Sequence, residues 1–184
     1  EMSVKELFKS IAIASANDAV TALAERVAGT EEKFVEQMNE KAKELGMKNT
    51  EFKNPTGLST KGHLTTAYDM SIIGRHLVQD YPEITEFSGL YEDYIRQDTK
   101  YPFWLVNTNK LLKYVDGVDG LKTGYTKEAG YCLTATANRD DMRVIAVVMG
   151  ASKSDIRNQE VARLIKYAYE QYELVPKLEN QKLV

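Results

Sequence analysis

The feature that most constrains the fold of this chain is a pair of strand-like runs joined by a very short polar stretch. Residues 131–137 and residues 142–149 are rich in β-branched and small apolar side chains, and only the sequence Asn-Arg-Asp-Asp at 138–141 separates them. This spacing predicts an antiparallel hairpin. The second run is apolar enough to predict a central strand with both faces covered.

Helical patterns dominate the first half of the chain. Apolar residues recur at helical spacing in four segments, residues 4–14, 19–27, 31–45 and 65–78. Asn17 and Asp18 are predicted to cap the second of these helices, and Thr30 the third. Residues 49–62 contain proline and several glycines, a composition that favours turns.

The second half is predicted to consist mostly of strands, closed by a helix. Strands are predicted at residues 94–96, 103–106 and 121–126, and turns at the Asp-Gly pairs 116–117 and 119–120. Ser154 or Asp155 is predicted to cap a long final helix. Helices, then consecutive antiparallel strands, then a closing helix predict an α+β fold. In it, helices flank an antiparallel sheet and the first half forms a helical subdomain.

The composition argues against several classes of protein. A formal net charge of -3 leaves no basic excess for nucleic-acid binding. The longest apolar run, residues 144–149, is far too short to span a bilayer. His63 and His76 stand in no metal-binding pattern and beside no reactive serine, so we expect no metal, no other cofactor and no Ser-His-Asp triad. Cys132, the single cysteine, is predicted to be a small buried side chain.

Two short motifs suggest catalysis. They are Ser-Ala-Asn at residues 15–17 and Lys-Thr-Gly at residues 122–124. A Ser-x-Asn element and a Lys-Thr-Gly element are two of the three parts of a serine acyl-transfer site, and the third part, Ser-x-x-Lys, supplies the nucleophile. No serine in the chain is followed by lysine three residues later. The sequence therefore predicts much of a catalytic site whose attacking serine lies outside these residues.

Each residue type in the two motifs suits one task in acyl transfer. The hydroxyl of Ser15 can donate and accept, which suits the relay of a proton to a leaving amine. The amide of Asn17 can bind a substrate carbonyl and a neighbouring ammonium at once. Lys122 and Thr123 suit a terminal carboxylate, because one supplies a positive charge and the other a hydroxyl. Taken singly, the motifs also have plain structural explanations, helix capping for Ser15 and a solvated turn for Lys122.

Gly124 and Tyr125 complete the candidate site. Because Gly124 has no side chain, an extended peptide can lie close to the strand and add to its edge. The backbone N–H of Tyr125 can then point at the developing oxyanion, where one such donor contributes about 3 kcal/mol.

The segments around these motifs match a known family in order. The matching blocks are residues 15–19 (SANDA) with 23–25 (LAE), 54–58 (NPTGL), 66–70 (TAYDM), 118–126 (VDGLKTGYT) and 129–133 (AGYCL). Together they closely resemble the low-molecular-mass penicillin-binding proteins of the D-alanyl-D-alanine carboxypeptidase type, peptidase family S11. The resemblance covers almost the whole chain, and it implies a fold of the β-lactamase and transpeptidase type.

The resemblance also implies a reaction. It gives catalytic roles to Ser15, Asn17 and Lys122, and substrate-binding roles to Thr123, Gly124 and Tyr125. A Ser-x-x-Lys serine upstream of residue 1 would attack the peptide bond between the last two D-alanines of a peptidoglycan stem peptide, and water would then hydrolyse the acyl-enzyme. β-Lactams would acylate the same serine. The implied location is extracytoplasmic, in the bacterial cell envelope.

The same resemblance divides the chain into two parts, and the chain departs from the family pattern at two positions. Residues 1–174 correspond to part of a catalytic domain, and residues 175–184 to the start of a linker or of a truncated C-terminal domain. Alone, the chain is expected to be inactive, and any membrane association would depend on a segment outside it. Thr108 stands where many relatives have an arginine that helps to anchor the substrate carboxylate, and Tyr125 stands where some have histidine.

Two other functions stay open at this level. A peptidoglycan-binding scaffold would keep the cleft without the nucleophile, although the retention of both motifs argues against it. A β-lactamase would share the motifs but needs a water-activating carboxylate, which the sequence does not identify. Tyr91, Tyr94 and Tyr101 could line a substrate groove, but packing in the sheet is preferred, and Trp104 is predicted to lie in the core.

Overall fold

The computed structural model describes residues 2–175. Its helices are α1 (Val4–Ala14), α2 (Asn17–Ala28), α3 (Glu31–Glu44), α4 (Ala67–Asp80), α5 (Thr85–Ser88), α6 (Leu111–Tyr114) and α7 (Ser154–Gln171). Its strands are β1 (Glu92–Ile95), β2 (Phe103–Val106), β3 (Val118–Thr126), β4 (Gly130–Arg139) and β5 (Met142–Ala151). The linker or further domain expected over residues 175–184 falls, except for Val175, outside the described residues.

The predicted hairpin forms between β4 and β5. Arg139 pairs with Met142, so Asp140 and Asp141 are the only loop residues, and both have positive φ angles, 47° and 64°. Two positive φ angles are the signature of the tight turn that matches strand twist. The three-stranded sheet has the antiparallel order β3-β4-β5.

The prediction that residues 142–149 form the central strand was wrong for the described sheet, in which β4 is central. Helices nevertheless pack against β5, with α4 and α7 both in contact with it. An edge strand covered in this way is as apolar as a central one, which explains the error. The core of the sheet is buried apolar residues of β4 together with Val161 and Ile165 of α7.

The Asp119-Gly120 pair is not a turn, contrary to prediction. It lies inside β3, where the register with β4 shifts between Val118 and Gly120. Arg143 Nη2 binds Asp119 Oδ2 at 2.7 Å. A Cβ on Gly120 would lie 2.5 Å from Ser88 Oγ, so close packing rather than chain reversal requires this glycine. Asp116-Gly117 is a turn, as predicted.

Two of the predicted helix caps were wrong. Thr30 caps α3 as expected, because its side chain accepts from the N–H of Lys33. Helix α2, however, begins after Ala16, which caps it without a side-chain hydrogen bond, so Asn17 and Asp18 are its first residues. Helix α7 likewise begins after Lys153 rather than being capped by Ser154 or Asp155. In α2 the tight reversal at the preceding residue fixes where the helix starts.

The small sheet of β1 and β2 presents aromatic side chains to solvent. Its inner face buries Ile95 and Leu105 against Ile13 of α1. On the other face Tyr94 pairs with Trp104, and they are 47% and 54% exposed. The core position predicted for Trp104 was therefore wrong, because strand alternation places it opposite the buried residues.

Other expectations concern metals and membranes. His63 lies in the loop before α4, and His76 on α4 pairs with Asp80. Within residues 2–175, no group of three His, Cys, Asp or Glu side chains is placed to hold a metal ion. No helix in the same range is both long and apolar enough to cross a bilayer.

Candidate active site

The first wall of the candidate site is the reversal between α1 and α2. Ser15 adopts the left-handed conformation (φ 59°, ψ 41°), and its N–H donates to Ile11 O at 3.1 Å. A non-glycine residue in this region costs about 1 to 2 kcal/mol. Such strain persists where the surrounding structure enforces it, often at functional sites. Its effect here is to leave the Ser15 side chain exposed at the surface.

Asn17 lies just beyond this reversal, at the first position of α2. Its side chain is exposed, and its amide makes no hydrogen bond to the described part of the chain. Because Ala16 is the cap, Asn17 has no structural task in starting the helix. Ser15 does cap the end of α1, but through its backbone, so neither its hydroxyl nor the amide of Asn17 is needed to cap a helix, and both are available to a ligand.

The second wall is strand β3, which carries Lys122. Lys122 is half-buried, and its Nζ donates to Thr123 O at 2.9 Å. Burial, and to a smaller extent the positive charge of Arg157, lowers the pKa of Lys122 to about 8. Lys122 is thus mainly cationic at pH 7 and loses its charge in mildly alkaline solution. A solvated turn lysine would not behave in this way.

Gly124 leaves open space beside strand β3. A Cβ at this position would meet nothing closer than Cys132 Cβ at 3.9 Å, and the residue is exposed. The packing of the described residues therefore does not require glycine here. Tyr125 follows with a ring that is 59% exposed and stacks on Tyr131, the ring centroids being 4.3 Å apart. The half-buried Cys132 is more exposed than expected.

Thr108 ties the two walls together. Its N–H donates to Ile13 O at 3.4 Å, two residues before Ser15. Its Oγ1 lies 2.5 Å from Thr123 Oγ1. The Ser-x-Asn turn and the Lys-Thr-Gly strand, 107 residues apart from Ser15 to Lys122, are therefore linked through one side chain and its backbone.

Two buried asparagines hold Thr108 in place. Asn107 Nδ2 donates to Leu90 O at 2.8 Å, and Asn109 Nδ2 donates to Gly120 O at 3.2 Å. The N–H of Asn109 also donates to Asn107 Oδ1 at 2.8 Å. They are 4% and 1% exposed. Sequence reasoning missed both, although their alternation around an exposed threonine was a usable signal.

A third block of the matched segments reaches the outer end of β3. Asn54 orders its own turn, because its Oδ1 accepts from the N–H of Gly57 and its Nδ2 donates to Leu58 O. Ser59 Oγ then donates to Glu128 Oε2 at 2.6 Å, in the turn between β3 and β4. The loop before α4 is thereby fastened beside the strand that carries Lys-Thr-Gly.

Arg157 is a charged residue near β3 that sequence reasoning missed. It lies on α7, is 5% exposed, and its Nη1 donates to Cys132 O at 3.4 Å. A cavity of about 530 Å³ lies elsewhere, between α7 and the turn at Asp116. We place the site at the two motifs nonetheless, because the polar side chains converge there and because Lys122, whose pKa is lowered, lies there.

We expect replacement of Thr108 by valine to loosen the two walls. The substitution keeps the shape and removes one hydroxyl, which should lower the free energy of unfolding by about 1 kcal/mol. In the intact enzyme that the sequence resemblance implies, acylation by a penicillin should slow by roughly 5-fold, the same energy expressed as a rate. Urea unfolding and the labelling rate measure the two effects. Thr108→Ser, which keeps the hydroxyl, is the control, and equal losses in both variants would contradict the link.

A sheet packed with helices and the two linked motifs are the features of the penicillin-binding class of proteins. The chain belongs to the D-alanyl-D-alanine carboxypeptidase family, peptidase family S11, whose sequence model matches residues 1–153. The family expected from the sequence and its fold class are thereby confirmed.

Individual relatives agree with this assignment. The chain is 56% identical over 184 residues to the D-alanyl-D-alanine carboxypeptidase DacF of Bacillus subtilis, covering 100% of this chain and 47% of DacF. Penicillin-binding protein 6B of Escherichia coli superposes with a TM-score of 0.88 at 34% identity, covering 98% of this chain and 56% of that one. Penicillin-binding protein D2 of Listeria monocytogenes, solved with cefotaxime bound, gives 0.82 at 35% identity, covering 91% and 66%. The chain spans about half the length of the curated relatives it matches.

Proposed function

We propose that this chain forms two walls of the active site of a serine-type D-Ala-D-Ala carboxypeptidase. The enzyme would remove the terminal D-alanine from peptidoglycan stem peptides, outside the cytoplasm in the cell envelope. The observation that carries the proposal is the link through Thr108, which joins the Ser-x-Asn turn to the Lys-Thr-Gly strand. Family membership supports the same reading.

The nucleophile in this proposal is the serine of a Ser-x-x-Lys segment outside the 184 residues. Its oxygen bonds to the carbonyl carbon of the penultimate D-alanine, and the C–N bond to the last D-alanine breaks. Ser15 passes the proton to the departing amine, while Asn17 holds the substrate carbonyl and amide. Water then hydrolyses the ester and frees the serine.

Strand β3 holds the other end of the substrate. Lys122 and Thr123 bind the terminal carboxylate, and the side-chain-free Gly124 lets the peptide backbone lie against the strand. The N–H of Tyr125 contributes to the oxyanion hole. β-Lactams would acylate the same serine, in line with the cefotaxime-bound relative.

The test uses the full-length protein that contains the preceding segment. We expect covalent labelling by fluorescent penicillin at a Ser-x-x-Lys serine, and release of D-alanine from a peptide ending in D-Ala-D-Ala. Binding of the peptide with neither labelling nor release would instead indicate a scaffold. Rapid turnover of the penicillin, with a labelled species too short-lived to isolate, would indicate a β-lactamase.

Ser15 can be tested with a matched pair of substitutions. Ser15→Ala and Ser15→Gly both remove the hydroxyl, so D-alanine release should fall by about 100-fold in each. Only glycine relieves the left-handed backbone, so Ser15→Gly should be more stable than Ser15→Ala by about 1 kcal/mol. Thermal unfolding measures the second effect. Full activity in either variant would remove Ser15 from the mechanism.

A further inference from the structure

The outer face of the small sheet carries two adjoining aromatic side chains, which we call the aromatic platform. Tyr94 on β1 lies directly opposite Trp104 on β2, and both are half-exposed. Each ring could bury a large apolar area, yet the fold leaves both open to solvent. Large apolar groups that are exposed side by side and flanked by polar residues commonly mark a place where a ligand binds.

The platform is held firmly against helix α1. The inner face of the small sheet is buried on that helix. Lys9 of α1 forms an ion pair with Asp93, and the N–H of Arg96 donates to Glu6 Oε1 at 2.7 Å. These contacts flank Tyr94 in sequence on both sides. A ligand that binds to the platform therefore has little backbone to order, which lowers the entropic cost of binding.

Strand β2 connects the platform with the candidate active site. Buried and exposed side chains alternate along residues 104–109, and Trp104, Val106 and Thr108 form the exposed row. The Oγ1 of Thr108 lies 2.5 Å from Thr123 Oγ1, in the candidate site. At about 3.3 Å per residue, the four steps from Thr108 to Trp104 span at most about 13 Å. The platform and the cleft are therefore parts of one continuous surface.

We propose that the aromatic platform binds a glycan strand of peptidoglycan, the polymer that carries the stem peptides. The inference rests on the proposed function and deepens it. A sugar ring has a face of C–H groups that can stack on the electron-rich face of an aromatic ring, while its hydroxyl groups stay hydrated. A glycan strand bound to the platform holds the polymer beside the cleft in which a stem peptide is cleaved.

The charges around the platform favour a neutral sugar over a lipid surface. On the same face Glu92 lies opposite Val106, and its carboxylate can accept hydrogen bonds from sugar hydroxyls. In the loop between the two strands, the cations Arg96 and Lys100 are partly offset by Asp98. The whole chain has a formal net charge of -3. Anionic lipid headgroups attract clusters of four or more basic residues, and this hairpin does not carry one.

The test separates the glycan from the peptide by using glycan strands from which the stem peptides have been removed. In the full-length protein, Trp104→Thr removes the ring and keeps a residue that suits a strand. Calorimetry should show a Kd for these strands that is about 10-fold higher, as expected for loss of one central aromatic contact. Release of D-alanine from a short soluble peptide ending in D-Ala-D-Ala should not change.

Two further variants serve as controls. Trp104→Tyr keeps a ring and should retain most of the glycan binding. Tyr167→Ala removes a ring on α7 that is 56% exposed, close to the value for Trp104, and should change neither glycan binding nor D-alanine release.

A Trp104→Thr protein that melts like the parent and binds the glycan strands as tightly would overturn the proposal. If Trp104→Thr does not fold, Tyr94→Thr must show the weaker binding, or the proposal fails. Loss of binding to anionic lipid vesicles, or of self-association in sedimentation, with glycan binding unchanged, would overturn it in favour of a membrane or a second copy. A parent protein that binds the glycan but releases no D-alanine from the soluble peptide would contradict the proposed function and still support the glycan site.

Discussion

Replacement of Lys122 by methionine should nearly abolish acylation while raising the stability of the protein at pH 7. Lys122 would supply fixed charge to the carboxylate end of the substrate, and removal of one preorganised electrostatic group costs about 100- to 1,000-fold in rate. Fluorescent penicillin labelling of the full-length variant measures this loss. A variant labelled as fast as the parent would show that Lys122 has no role in catalysis.

The gain in stability follows from the lowered pKa of Lys122. Its folded-state pKa is about 8, below the ordinary lysine value of 10.5, so the folded protein binds this proton more weakly than the unfolded chain. The lysine therefore opposes folding most below pH 8, and this cost declines as the pH rises toward 10.5. Methionine keeps an apolar side chain of similar length and has no proton to bind.

Thermal unfolding as a function of pH separates this effect from simple packing. Lys122→Met should melt above the parent at pH 7, and the difference should shrink between pH 8 and pH 10.5. Lys33→Met, at an exposed position on α3, should give no such pH-dependent difference. A Lys122→Met protein that melts below the parent at every pH would show that the lysine stabilises the fold.

The second large effect is expected at Gly124. Valine should be accommodated by the fold, because the nearest atom to a new Cβ is 3.9 Å away and valine suits a strand. Stability should be unchanged or higher by up to about 1 kcal/mol. Acylation should nevertheless fall by at least about 100-fold, because the side chain fills the space that a substrate backbone would occupy.

Gly120, four residues earlier on the same strand, is the matched comparison. A Cβ there would lie 2.5 Å from Ser88 Oγ, so Gly120→Ala should destabilise the protein by about 1 to 3 kcal/mol through overpacking. The two substitutions thus separate a glycine required by packing from one required by a ligand. An active Gly124→Val enzyme would show that the substrate backbone does not lie against β3 at Gly124.

Local patterns predicted most of the elements because the helices and the hairpin are built from near neighbours in sequence. The apolar spacing of residues 4–14 gave α1 with its observed bounds, and the polar stretch after residue 137 gave the β4-β5 hairpin. The six site residues expected from the sequence stay proposals. The structure brings their two motifs to a common support at Thr108.

What local patterns could not supply was the set of contacts between distant segments. The sequence predicts a core position for Trp104, and only the pairing with Tyr94 shows which face of the small sheet it occupies. In the sequence Arg157 is one of several charged residues in the final helix, and nothing local distinguishes it. Its burial depends on how α7 crosses β4, and sequence periodicity carries no information on that crossing.

The contact between Thr108 and Thr123 has a consequence for how the cleft responds to a ligand. Either hydroxyl can be the donor across their 2.5 Å separation. If Thr123 donates to a bound carboxylate, as proposed, Thr108 must donate to Thr123, and in the empty cleft the reverse direction is also allowed. A rotation of two hydrogens is then enough to accept the substrate. The hydrogen bond between Thr108 and Thr123 can therefore reverse its direction without the movement of any heavy atom.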